Sequence, residues 1–140
     1  MALSLSKMVE KYLLDTSVLV EYRNNNPAAL ALLNSAKHVT SAIAVMEFNQ
    51  GKSRPFSSIF PSMTVLPFTK AEAMIAAQKM VQIRAIIEKQ DSKKASKDRA
   101  AILSLDTMIA ATAINRKYSI VTTNPIDFLW FENLKIHTLT

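Results

Sequence analysis

A three-layer α/β domain with a central, mainly parallel sheet of about five strands flanked by helices is the fold this sequence predicts. Three observations predict it. Short apolar or β-branched runs alternate with longer stretches of helical periodicity, and parallel neighbours need a crossover helix between them. The chain has 140 residues, 49% of them hydrophobic, enough for one real core and too few for two. No repeat or low-complexity tract interrupts the alternation. The expectation is a single domain over residues 1–140, with residues 1–10 as an N-terminal extension.

The first strand is expected at Tyr12–Leu14, ending in Asp15, and a helix follows in which Val18, Leu19 and Tyr22 share a face. A loop at Asn24–Pro27 leads to a helix over Ala28–Ala36, and His38–Ala42 has the length and branching of a second strand. Ser41 is placed to cap the next helix, which Gly51, the only glycine, would stop. The run "SRPFSSIFPS" reads as irregular and "MTVLPF" as a third strand cut short by Pro67. From Lys70 to about Lys89, Ala73, Ala76, Met80, Ile83 and Ile87 recur at steps of three and four as one buried stripe. The basic residues between Arg84 and Arg99 read as a charged surface turn. The alanine-rich "SLDTMIAATAINRKY" reads as a buried helix, "SIVTT" as a fourth strand and "LKIHTLT" as a fifth.

Composition excludes several classes of chemistry. There is no cysteine, so disulfides, thiolate metal sites and thiol nucleophiles are out. A single glycine cannot build a dinucleotide-binding turn or a phosphate-cradling loop. His38 and His137 lack the spacing of helical metal ligands and lie in expected strands, and the seven methionines read as core filling. The first residues lack the apolar core of a signal peptide, and no run is long enough to span a membrane, so a cytoplasmic protein is expected. A net charge of +6 and a pI near 9.7 favour a polyanionic partner, although a merely solvated basic surface accounts for the charge equally well.

In so basic a chain, with 11 acidic residues, a carboxylate set in an apolar segment is informative, because burying an unpaired charge costs several kcal/mol by order of magnitude. Asp15 follows "YLL", Glu47 interrupts "AIAVMEF", and Asp106 parts "AILSL" from "TMIAATAI". Each has an ordinary account: Asp15 as a helix cap, Asp106 as a first-turn acid, Glu47 as the partner of a lysine or arginine, and Asp127 as a turn residue. Gathered at one place they would repel, and hard oxygen donors of this kind suit Mg²⁺ or Mn²⁺. Ligands of parallel α/β sheets bind at the carboxyl ends of strands, where Asp15 and the "TTN" of Thr122–Asn124 both fall.

Four pieces, "YLLDTSVLVEY", "TSAIAVMEFNQGK", "LDTMIAATAI" and "SIVTTNPIDF", taken in this order and spacing, resemble the PIN-domain ribonucleases, and among them the VapC-like toxins of toxin–antitoxin pairs. The resemblance runs from about Lys11 to the carboxyl terminus. It implies a PIN-like sheet of about five strands and Mg²⁺- or Mn²⁺-dependent hydrolysis of RNA by in-line attack of water, with no covalent nucleophile. Asp15, Glu47 and Asp106 would hold the metal, with Asp127 the candidate fourth ligand, and Asn124 stands where some relatives have an acid. Ser17 and Asn124 would hydrogen-bond beside the ligands. Lys52, Arg54, Arg116 and Lys117 are candidate contacts to the RNA backbone, each also explicable as ordinary solvated charge. A homodimer and a cognate antitoxin protein are the partners implied.

Three other readings compete. A haloacid-dehalogenase-type phosphatase needs a second aspartate where Ser17 stands, and a ribonuclease-H-like nuclease would lead its first strand into a glycine-rich hairpin. A PIN-like module that binds RNA or protein without cutting is the rival of another class, and three acids held together in a dead site weigh against it.

Overall fold

The computed structural model describes residues 11–35, 38–51, 54–90 and 93–139, with side chains of 90 and 93–103 excepted. Five strands form one sheet: β1 (Tyr12–Leu14), β2 (Val39–Ser41), β3 (Thr64–Leu66), β4 (Ser119–Thr122) and β5 (Ile136–Thr138). Their order is β3-β2-β1-β4-β5 and every pairing is parallel, in agreement with the expected three-layer α/β fold. The helices are α1 (Thr16–Arg23), α2 (Pro27–Ser35), α3 (Ala42–Asn49), α4 (Phe56–Ile59), α5 (Lys70–Gln90) and α6 (Lys93–Arg116), with a 3₁₀ turn at Pro125–Phe128.

Strand order explains burial. β1 lies at the centre, with Leu13 and Leu14 fully buried, and all four residues of β4 beside it are buried. The edge strands β3 and β5 are partly exposed. One core cluster joins β1 and β4 to α1, α3, α5 and α6 through Val18, Leu19, Phe48, Ile83, Ile87 and Ile109. The order runs outward from β1 in one direction through β2 and β3, and in the other through β4 and β5. The direction reverses between β1 and β4, and in sheets of this kind the ligand crevice is expected beyond the carboxyl ends of the strands at that point.

Several local details depart from what the sequence pattern predicts. The irregular segment contains α4, whose amide Phe56 N donates to Asn49 Oδ1 at 2.8 Å and whose flanking rings, Phe56 and Phe60, are buried against Phe48. The charged stretch is not a long turn: α5 and α6 form a hairpin joined at residues 91 and 92, because lysine, alanine and arginine continue a helix well without an apolar stripe. The methionines with described side chains are half-buried or exposed, Met74 by 65%. Residues 1–10 lie outside the described residues.

Gly51 is not a left-handed helix stop either; two other residues take that conformation. Asn25 and Lys117 both have φ of 60°. Around each, paired hydrogen bonds close a helix end: Asn25 N to Tyr22 O and Asn26 N to Glu21 O, then Lys117 N to Ile114 O and Tyr118 N to Ala113 O. The next chain segments start at once, with Asn26 Oδ1 accepting from Ala28 N at 2.9 Å to begin α2 and Ser119 opening β4.

The buried stripe of α5 begins one residue earlier than expected, on Glu72 rather than Ala73, which is exposed. Glu72 is fully buried, accepts a 2.9 Å hydrogen bond from Arg116 Nε across the hairpin, and is also bonded by the Thr69 hydroxyl. Burial pushes its carboxyl up, but the Thr69 hydroxyl, its own backbone amide and the Arg116 guanidinium outweigh that and hold it below the usual range.

Two outcomes follow from these contacts. Lys117→Gly, which removes the Cβ from a left-handed residue, should stabilise the fold by about 0.5–1 kcal/mol in urea titrations, since the relieved strain exceeds the added chain entropy. A depressed folded-state value means that Glu72 stabilises the protein above the unfolded carboxylate value and loses that contribution as pH falls through the folded one. Thermal melts of Glu72→Gln should therefore fall less steeply than the parent's below about pH 4.5.

Candidate metal centre

The Asp15 carboxylate sits at the switch point of the sheet, where β1 ends and α1 begins. Its backbone continues the β1–β4 ladder, with Asp15 N donating to Val121 O at 2.9 Å. It occupies the N-cap position of α1, yet its side chain makes no capping hydrogen bond. Instead Oδ2 accepts from Ser17 Oγ at 2.9 Å and from Thr122 Oγ1 at 2.8 Å. Those hydroxyls are themselves fixed by backbone amides, Thr123 N on Ser17 Oγ at 3.1 Å and Asn124 N on Thr122 Oγ1 at 3.0 Å. The strand-end turn after β4 thus holds the two hydroxyls that orient the carboxylate at the end of β1.

Glu47 comes from the side. Ser41 caps α3 by accepting from Ala44 N at 3.0 Å, which directs the helix so that Glu47 Oε1 accepts from Thr16 Oγ1 at 2.8 Å. Asp106 lies well inside the 24-residue α6, which removes the first-turn account of it. Asp127 is in the 3₁₀ turn, half-buried.

Electrostatics brings the four together. Asp15 is only 4% exposed, and burial raises its carboxyl despite the hydrogen bonds from Thr122 and Ser17 and the nearby amides of Thr16 and Ser17. Burial also raises Glu47, opposed by the Thr16 hydroxyl and reinforced by the Asp15 charge. Asp106 is pushed up to about 7, first by burial and then by the charges of Asp15, Asp127 and Glu47. A carboxylate that feels three others is the mark of an under-neutralised acidic cluster.

The donor set is all oxygen and matches a hard divalent cation. Among the described residues no group of three or more acidic or histidine side chains stands ready to hold an ion together. The match is therefore one of chemistry and location, with side-chain adjustment still required.

The remaining candidates fall in different places. Ser17 is bonded to Asp15 as described, and Asn124 is exposed at the start of the 3₁₀ turn, with its backbone amide on Thr122. Arg54 is exposed, Lys117 is the exposed left-handed residue after α6, and Arg116 directs its Nε to Glu72 with its side chain 30% exposed. Lys52 lies outside the described residues. Sequence reasoning missed Thr16 and Thr122 as carboxylate partners. Their signals were present: one follows Asp15 directly, and the other ends the strand paired with β1.

Comparisons with known proteins add the following. The chain matches the family model of the PIN domain over residues 12–129. Among solved structures it is similar to DNA-bound VapBC from Salmonella typhimurium, at 21% identity and a TM-score of 0.67, covering 94% of this chain and 100% of that one. It is likewise similar to FitAcB from Neisseria gonorrhoeae, at 24% identity and 0.65 over 89% and 95% of the two chains. A toxin–antitoxin complex from Klebsiella pneumoniae aligns at 16% identity and 0.64 over 93% and 98%. At these identities the likeness to solved structures is one of fold. No curated protein matches the sequence.

The raised Asp106 sets a pH dependence. Because its folded value lies above the unfolded 3.8, the folded state binds the extra proton, and stability falls as pH rises towards and through 7. In chelator at pH 8, Asp106→Asn should be more stable than the parent, on the order of 1–3 kcal/mol, and the gap should shrink by pH 4. Equal denaturation midpoints at pH 8 would show that neither burial nor the other charges penalise ionised Asp106.

Proposed function

Because the chain belongs to the PIN-domain family, we propose that it is a divalent-metal-dependent endoribonuclease and the toxin of a toxin–antitoxin pair. PIN domains are generally nucleases and typically use divalent metals. The observation that carries the reading for this chain is that Asp15, at the carboxyl end of β1, is held by Ser17 and Thr122 while Asp106 feels its charge together with those of Asp127 and Glu47. Asp15, Glu47 and Asp106 are the proposed metal ligands, Asp127 the fourth, and Mg²⁺ or Mn²⁺ the ion. When bound, such an ion would neutralise charge on the scissile phosphate and make an attacking water more acidic.

The chain's own groups have definable parts in this scheme. Ser17 and Thr122 converge on Asp15 Oδ2 and fix the plane of its carboxylate, while Thr16 does the same for Glu47 through Oε1. Pre-oriented ligands lose little freedom on binding an ion. With its carboxyl pushed up to about 7, Asp106 is only partly ionised at neutral pH and would release its proton as positive charge arrives, so ion binding should tighten as pH rises through about 7. Lys52, Arg54, Arg116 and Lys117 are proposed to meet the RNA backbone, and the net charge of +6 favours a polyanion. The cytoplasm as location, a homodimer and an antitoxin partner belong to the same proposal. The Klebsiella pneumoniae neighbour is a toxin–antitoxin complex, and no helix among the described residues is long and apolar enough to cross a membrane.

Cleavage of structured and unstructured RNAs, with Mg²⁺ or Mn²⁺ and with chelator, tests the reading. Asp15→Asn should lower the rate about 100-fold or more, which corresponds to about 2.7 kcal/mol of transition-state stabilisation, and chelator should do the same to the parent. Equal cleavage by both proteins would remove the metal-nuclease assignment, and binding without cleavage by either would favour an inactive RNA-binding module. Separately, Mg²⁺ should raise the melting temperature of the parent more at pH 8 than at pH 5.5, and Asp106→Asn should lose most of that shift. A pH-independent shift would count against Asp106 as a ligand.

A further inference from the structure

A cavity of about 370 Å³ opens beside the last turn of α1, lined by Tyr22, Arg23, Asn25, Arg54 and Ile59. Among the described residues that line it, two are arginines, one is aromatic and none is acidic. The Arg23 guanidinium lies 5.2 Å from the centre of the Phe48 ring, and Phe48 is the residue after Glu47 in α3. The Tyr22 ring is braced by Phe60 at 5.0 Å, so its position is set by packing. Arg54 is exposed and its only described hydrogen bond is a long one, Nη2 to Ser58 O at 3.4 Å. At its other end α1 is preceded by Asp15, eight residues before Arg23 and so about 12 Å away along the helix axis at 1.5 Å per residue.

We propose that this cavity is a subsite for single-stranded RNA, in which Arg23 and Arg54 take a backbone phosphate a few nucleotides from the bond cut and Tyr22 offers its ring to a base. The inference rests on the ribonuclease reading and extends it to a substrate class. An aromatic ring set by packing in a cavity also lined by arginines is a combination by which proteins bind single strands, with phosphates held by charge and bases by stacking. A duplex would present neither an unstacked base nor a strand free to bend into a cavity of this size. The requirement for a strand that spans crevice and cavity together also favours an unpaired stretch over a paired one.

The test is binding of a labelled, unstructured oligoribonucleotide in chelator, where no cleavage is needed, by fluorescence anisotropy over a range of salt. Arg54→Gln should weaken binding about tenfold and lower the slope of log affinity against log salt by about 0.7, the value for one phosphate contact on a single strand. Tyr22→Leu should weaken it with the slope unchanged, Arg54→Lys should restore the slope, and Arg84→Gln, on the exposed side of α5, should change neither. Equal losses for Arg54→Gln and Arg84→Gln would mean a general charge effect and overturn the subsite. A poly-glutamate peptide held more tightly than the oligonucleotide, with the same Arg54 dependence, would assign the cavity to an acidic protein segment and also overturn it. Since Arg54 is exposed, its variants test the proposal even if a Tyr22 variant is unstable. Loss of cleavage in the parent would refute the nuclease reading and leave this binding result standing.

Discussion

The parallel pairing of β1 with β4 is the constraint on which the rest of the site depends. It sets Leu14 beside Val121, and so brings the residues that follow, Asp15 and Thr122, to the same edge of the sheet. A shift of one residue in either strand would turn Thr122 to the other face and leave a buried carboxylate without one of its two hydroxyl donors. The register is held by burial on both faces, since Leu13, Leu14, Ile120 and Val121 are all in the core. Hydrophobic packing, which has no interest in charge, thereby fixes the position of the most buried acid in the crevice.

That arrangement works against stability where it serves chemistry. Desolvation and mutual repulsion both raise the free energy of the ionised carboxylates. Hydroxyl donors offset only part of this for Asp15 and Glu47, as the net upward direction of both shows. Glu72 is the instructive contrast. It is buried more completely than Asp15, yet Arg116 and Thr69 satisfy it, and its carboxyl goes down instead. The fold can neutralise a buried acid when its role is structural, and the crevice acids have been left in want of positive charge.

Much of this was legible in the sequence, for physical reasons that can be named. The five strands and the long helices announce themselves by apolar runs and by the three-to-four-residue spacing of buried positions. Asp15, Glu47 and Asp106 stood out because an acid within an apolar segment is costly. What stayed hidden depended on contacts distant in sequence or on propensity without pattern. The start of α6 at Lys93 carries no apolar stripe, and α4 is only four residues long. Glu72 looked like a surface acid beside Ala73, because nothing local shows that Arg116 lies 44 positions away and opposite it. Thr16 and Thr122 were concealed by their chemistry, since a threonine in a strand or first helical turn needs no special explanation until its acceptor is known.

The same charges that mark the crevice raise a difficulty for any polyanionic substrate. An RNA strand would be drawn to a protein of net charge +6 at long range, yet carboxylates at the crevice would repel a phosphate at close range. Screening separates the two effects: beyond the Debye length of about 8 Å at physiological salt, local sign gives way to whatever charge lies nearest the strand. On the proposed reading, productive approach needs positive charge at both distances. A divalent ion would reverse the sign of the crevice itself, and Arg23 and Arg54 line a cavity beside the end of α1 opposite to Asp15. Basic residues set directly among the acids would neutralise them and compete with the ion for their oxygens. A helix that carries an acid at its start and arginine at its end keeps the two requirements apart, which accounts for basic residues near the site without any being needed within it.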